Sequence, residues 1–167
     1  RVIYLGTFSK CIAPAIRVSY LVLPTHLLLR YRSQTSFYAS TVSRIDQNIL
    51  YQFLAGGDFE RHLNRMRAVY KTKHDLLLEQ IEPLRERFEI RGEHAGIHIL
   101  LTSRQGESEE QLIQKAEEAG VKVYGLSSYF IHPQHNHRPA TVVLGYASLS
   151  EEQIVEGIRL LMECWGA

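Results

Sequence analysis

With 167 residues, 45% of them hydrophobic, the chain can bury a core of ordinary domain size. Its 19 lysines and arginines against 18 aspartates and glutamates leave a formal net charge of +1, which excludes a bulk field that would gather nucleic acid or an anionic membrane surface. The two cysteines, Cys11 and Cys164, form no CxxC and no short Cys/His spacing, which argues against a zinc site or disulfide framework and for a reducing, cytoplasmic compartment.

No apolar run reaches the ~18 residues that point to a membrane helix, and the N-terminus shows no signal-peptide pattern. The chain opens on Arg1 directly against V-I-Y-L, so its first strand is expected to belong to a sheet begun upstream. Val2–Leu5 and Val18–Leu23 are β-branched, aromatic-rich and continuous rather than alternating, which predicts strands buried on both faces. A short helix is expected after Pro24 with Thr25 as its N-cap. The next helix should bury Ile45, Ile49, Leu50, Phe53 and Leu54 on one face and stop at Gly56-Gly57.

Asp58 begins a long helical pattern through Leu63, Met66, Val69, Tyr70, Leu76, Leu77 and Ile81, ended or kinked by Pro83. At 1.5 Å per residue, a helix of about 25 residues spans roughly 37 Å. That is more than one small core needs and suits a connector between two lobes. Strands are expected at F-E-I-R-G, G-I-H-I-L-L-T-S, V-K-V-Y-G-L and A-T-V-V-L-G-Y-A, with a helix from a Ser108/Gln111 capping box and a last helix capped by Ser150 with Gln153. The expected division is therefore residues 1–74, with the connecting helix, and an α+β unit over 75–167. E-R-H-L-N-R-M-R reads as a solvated basic helix face.

The chemistry concentrates between the first two strands, in Y-L-G-T-F-S-K-C-I-A-P-A-I-R-V-S-Y. Lysine is costly to bury, so Lys10 is either solvated or used as an amine, and a deprotonated amine can form a Schiff base with a carbonyl. Thr7, Ser9 and Arg17 supply two hydroxyls and a guanidinium, a donor set suited to a phosphate dianion. Amine and phosphate donors together describe a cofactor with an aldehyde and a phosphate, pyridoxal phosphate. On spacing alone, the same residues also fit an ordinary solvated loop.

This stretch closely resembles the lysine segment of fold-type I pyridoxal-phosphate proteins of the aminotransferase superfamily. F-E-R-H-L-N-R-M-R-A-V-Y-K-T-K-H-D-L-L is similar to that family's helix leading from the large to the small domain. E-H-A-G-I-H-I-L-L and G-Y-A-S-L-S-E-E-Q-I-V-E-G-I-R-L-L resemble its small-domain strand and terminal helix. The implied fold is α/β: the C-terminal part of a fold-type I aminotransferase-like domain, comprising the end of the large-domain sheet plus an α+β small domain joined by a long helix.

The resemblance implies that Lys10 forms the internal aldimine and that Thr7, Ser9 and Arg17 hold the cofactor phosphate. It also implies that Tyr38, Ser40 or Thr41 approaches a site shared across a homodimer. The same three residues also read as a polar first turn of a helix.

Within the superfamily the chain resembles the MocR/GabR group of bacterial transcriptional regulators, which join an N-terminal winged-helix DNA-binding domain to an aminotransferase-like sensor domain. That implies an amino-acid-like small-molecule effector, DNA contact only through a domain outside this chain, and no membrane partner. Many aminotransferases of the superfamily carry an arginine in the strand before the last helix, where it clamps the substrate carboxylate; the matching run here is V-L-G-Y, with Val143 in the arginine's place. A valine donates no hydrogen bond, so a ligand must be held differently. Arg138, with Ser127 and Ser128, is the substitute considered. Near it His132, His135 and His137 lack any Asp, Glu or Cys among them, so no metal site is expected. A true pyridoxal-phosphate-dependent aminotransferase is the alternative.

Overall fold

The computed structural model describes residues 2–94, 96–131 and 139–166. Two compact units make up the chain, Arg1–Arg67 and Ala68–Ala167. This division and the expected boundary at 74/75 fall within the same helix, α3 (Asp58–Gln80).

In the first unit, β1 (Tyr4–Thr7) and β2 (Ser19–Val22) pair antiparallel, Tyr4 opposite Val22 and Thr7 opposite Ser19. The expectation that these strands are buried on both faces is corrected. Tyr4, Leu5, Tyr20, Leu21 and Val22 are exposed. Among the described residues each strand pairs only with the other, and a two-stranded ribbon presents both faces.

Helix α1 (Thr25–Thr35) starts one residue earlier than its expected cap allows. Pro24 is the N-cap, and Thr25 is already helical with no side-chain cap. Helix α2 (Arg44–Ala55) is capped by Ser43, whose hydroxyl accepts from the Asp46 N–H. Of its expected apolar face only Leu50 is buried; Ile45, Ile49 and Leu54 are exposed. Helix α3 then follows Gly57, at φ 73°, where a side chain would be strained.

The second unit holds the well-buried core. After α3 a short 3₁₀ turn (Glu82–Glu86) carries Pro83 in its first residues, where no intrahelical N–H is missed. Strands β3 (Phe88–Arg91), β4 (His98–Ser103), β5 (Tyr124–Gly125) and β6 (Thr141–Gly145) form one antiparallel sheet in the order β3-β4-β6-β5. Period-2 alternation sends Ile99 and Leu101 of β4, and Val142 and Leu144 of β6, into the core. There they meet Leu112 and Ala116 of α4 (Glu109–Glu118) and Ile154, Ile158, Leu161 and Trp165 of α5 (Glu151–Trp165).

Both expected capping boxes form, Ser108 with Gln111 and Ser150 with Gln153. The strand expected at V-K-V-Y-G-L shrinks to two residues for a local reason. Gly120, at φ 81°, ends α4 with its N–H on the Glu117 carbonyl and the Val121 N–H on the Ala116 carbonyl. The next residues leave that cap, and Leu126–Tyr129 turn at once into 3₁₀ geometry.

Candidate functional site at the Lys10 turn

The segment between β1 and β2 is a built turn. Cys11 N–H and Ile12 N–H both donate to the Phe8 carbonyl, at 3.3 and 2.9 Å, and Phe8 N–H returns to the Val18 carbonyl at 3.0 Å. Ser9 and Cys11 are half-buried while Lys10 between them is exposed, so the turn presents the lysine outward. Among the described residues no protein acceptor engages its amine.

Three of the expected phosphate donors are linked. Ser9 N–H donates to Thr7 Oγ1 at 3.2 Å, and Arg17 Nη1 donates to Ser9 Oγ at 3.4 Å. Ser9 Oγ donates to the Ile16 carbonyl and Thr7 Oγ1 to the Val18 carbonyl. Arg17 is exposed and meets no carboxylate among the described residues. This donor set fits pyridoxal phosphate: an exposed amine for the aldehyde, an unneutralised guanidinium for the phosphate, and two hydroxyls that can exchange a backbone acceptor for a phosphate oxygen.

Sequence reasoning missed what holds the turn from below. Phe8 meets Tyr20 at 5.4 Å between ring centroids and Phe59 edge-on at 6.0 Å. His62 Nε2 lies 3.0 Å from the Cys11 carbonyl oxygen. The available signal was the shared three-residue spacing of Phe8 and Cys11 and of Phe59 and His62. Within E-R-H-L-N-R-M-R the two faces separate as helical spacing requires: His62, Leu63 and Met66 are half-buried, whereas Arg61, Arg65 and Arg67 are exposed.

The remaining expected residues fall elsewhere. Tyr38 is exposed and its ring lies 4.3 Å from that of Phe37. Ser40 Oγ donates to the Val42 carbonyl at 3.1 Å and receives the Gln47 amide at 3.4 Å, while Thr41 is exposed.

In the second unit, Ser128 Oγ donates to the Gly125 carbonyl at 2.8 Å, and Ser127 is held by Glu109. Arg138, His132, His135 and His137 lie outside the described residues. Val143 is buried between Leu100 of β4 and Tyr124 of β5, on the sheet face opposite to Val142 and Leu144.

No family model matches the chain. Over 166 residues it is 43% identical to the uncharacterized HTH-type transcriptional regulator YdeL of Bacillus subtilis, a match covering 99% of this chain and 35% of that protein. It is 30% identical over 164 residues to the probable rhizopine catabolism regulatory protein MocR of Rhizobium meliloti, covering 96% of this chain and 32% of that protein.

Among solved structures it resembles LysN, the α-aminoadipate aminotransferase of Thermus thermophilus complexed with N-(5'-phosphopyridoxyl)-L-leucine. The TM-score is 0.81 at 27% identity, over 99% of this chain and 42% of that one. The chain spans about a third of the length of the curated regulators it matches. No helix among the described residues is long and apolar enough to cross a membrane. By fold the chain is the C-terminal part of a fold-type I aminotransferase-like domain, and by sequence it is similar to about a third of the length of HTH-type transcriptional regulators of the MocR type.

Proposed function

We propose that the chain carries the cofactor-anchoring lysine of an effector-sensing, cytoplasmic transcriptional regulator. Lys10 joins the aldehyde of pyridoxal phosphate as a Schiff base, and Thr7, Ser9 and Arg17 receive the phosphate. The single observation that supports this reading is the Lys10 turn itself, an exposed amine with no protein acceptor among the described residues, beside a linked Thr7–Ser9–Arg17 donor set.

Sensing would use amine exchange. An amino-bearing, amino-acid-like effector displaces the Lys10 amine, and its remaining groups engage Ser127, Ser128 and Arg138. The domain closes, and closure is carried through a homodimer, with Tyr38, Ser40 and Thr41 near the shared site, to DNA-binding domains outside this chain. A ligand shifts such an equilibrium only by its difference in affinity for the two states, so these second contacts are essential to the reading.

The second reading is an aminotransferase, favoured by the likeness to LysN. Val143 speaks against it, because a valine closed into the sheet supplies no cation for a substrate carboxylate.

The test is to load the whole protein with pyridoxal phosphate, reduce with borohydride and locate the pyridoxyl adduct by peptide mass spectrometry. A single adduct on Lys10, lost in Lys10→Ala, is the expected result; scattered or absent label overturns the reading. In unreduced protein, amines that exchange with Lys10 without releasing a keto acid identify a sensor, whereas keto-acid release identifies an aminotransferase.

A further inference from the structure

Phe59 and His62, three residues apart in the first turns of α3, share one helix face. Phe8 and Cys11 have the same spacing in the lysine turn, and the two pairs meet: ring against ring at Phe8 and Phe59, imidazole against carbonyl at Cys11 and His62. A carbonyl oxygen only accepts, so His62 Nε2 carries the hydrogen. The imidazole is backed by Phe53, 6.4 Å away, which meets Phe59 edge-on at 6.1 Å. The helix therefore touches the turn at Phe8, whose carbonyl receives two of its N–H groups, and at the residue immediately after Lys10.

From this geometry we infer that His62 is a positioning residue for Lys10. Holding the Cys11 carbonyl fixes the Cys11–Ile12 peptide, one residue beyond Lys10, and so limits the directions in which the amine can leave the turn. Among the described residues no other donor reaches that carbonyl. The inference rests on the reading of Lys10 as the attachment lysine.

The test compares His62→Leu, which removes the donor at similar volume, with His62→Gln, whose amide N–H can reach the same carbonyl. Two quantities are measured in the whole protein. One is amide hydrogen exchange over residues 8–13 without cofactor; the other is the dissociation constant of pyridoxal phosphate, followed by its visible absorption on Lys10. Losing one hydrogen bond should speed exchange at Cys11 and Ile12 about tenfold and weaken attachment about tenfold in His62→Leu. In His62→Gln both quantities should stay close to wild type.

Unchanged exchange and attachment in His62→Leu overturn the inference, as does failure of His62→Gln to restore them. Faster exchange with equal attachment leaves His62 a merely structural role and also overturns it, while the Lys10 reading stands. Absence of a Lys10 adduct in the wild type overturns that reading and the inference with it. If His62→Leu does not fold, His62→Asn, whose shorter amide falls short of the carbonyl, takes its place in the comparison with His62→Gln.

Discussion

Both polar groups of Ser127 converge on the carboxylate of Glu109: the backbone N–H lies 3.1 and 3.2 Å from its two oxygens, and the hydroxyl donates to Oε1. The first turn of α4 thereby holds the 3₁₀ turn Leu126–Tyr129. The carboxylate lies so close to Gly125 that a Cβ there would collide with Oε1. Gly125 has ordinary extended dihedrals, so only this approach demands a glycine. Gly125→Ala should push the carboxylate away and release Ser127, costing about 1 kcal/mol, as should Glu109→Ala. The two changes break the same contact, so the double variant should cost little more than either single one. Denaturant midpoints of the three variants check this, and full additivity would refute it.

The single tryptophan of the chain, Trp165, is 1% exposed, donates from Nε1 to the Leu112 carbonyl at 3.1 Å and lies 5.0 Å from the Phe88 ring. It joins the end of α5 to α4 and β3. Trp165→Ala should destabilise the second unit by about 3–5 kcal/mol. Trp165→Phe keeps an aromatic ring but loses the indole hydrogen bond to the Leu112 carbonyl and part of the buried volume, so a loss of about 1–3 kcal/mol is expected. Circular dichroism melts measure both. In the wild type, emission should shift to the red when this unit unfolds.

Stability should fall at both ends of the pH range. A hydrogen bond from Arg85 holds the Glu93 carboxyl below its ordinary value, and Arg91 does the same for Glu89. Such groups add stability above the ordinary carboxylate value of about 4.3, and it is lost as pH falls through their lower folded values. Burial raises Tyr146, whose phenol donates to the Gly96 carbonyl at 2.9 Å. Its contribution is present below the ordinary phenol value of about 10 and is lost as pH rises through the folded one. Urea midpoints should thus be flat between about pH 5 and pH 9. Arg85→Leu should flatten the acid limb, and Tyr146→Phe the alkaline one.

What could be read from the sequence follows the range of the forces involved. The capping boxes at Ser108 and Ser150 depend on residues three apart, and both formed. The strands at G-I-H-I-L-L-T-S and A-T-V-V-L-G-Y-A were legible from their apolar runs, but those runs are continuous, and only the pleat of the folded sheet selects Ile99, Leu101, Val142 and Leu144 for the core. Burial of β1, β2 and the α2 face was misread, since apolar residues say that a surface wants cover and not what covers it. Within the site, Thr7, Ser9, Lys10 and Arg17 were visible as a local motif. The Cys11–His62 contact joins residues 51 positions apart, and the matching three-residue spacings of Phe8 with Cys11 and of Phe59 with His62 do not by themselves say that the two pairs meet.

Arg17 offers the sharpest test of the phosphate donor set. Among the described residues its guanidinium hydrogen-bonds only to Ser9 Oγ and meets no competing carboxylate, so it is available to an anion. Arg17→Met keeps much of the aliphatic stem and removes the charge. Charge-assisted hydrogen bonds are worth about 1.5–3 kcal/mol each, so pyridoxal phosphate should bind the variant roughly tenfold to a hundredfold more weakly. Pyridoxal lacks the phosphate but retains the aldehyde, and its attachment to Lys10 should be nearly unchanged. Arg17→Lys should recover only part of the loss, because an ammonium cannot reproduce the bidentate fork. Titrating both aldehydes against wild type and the two variants gives the answer directly. Equal weakening for pyridoxal and its phosphate would mean that Arg17 supports the turn and does not hold the phosphate.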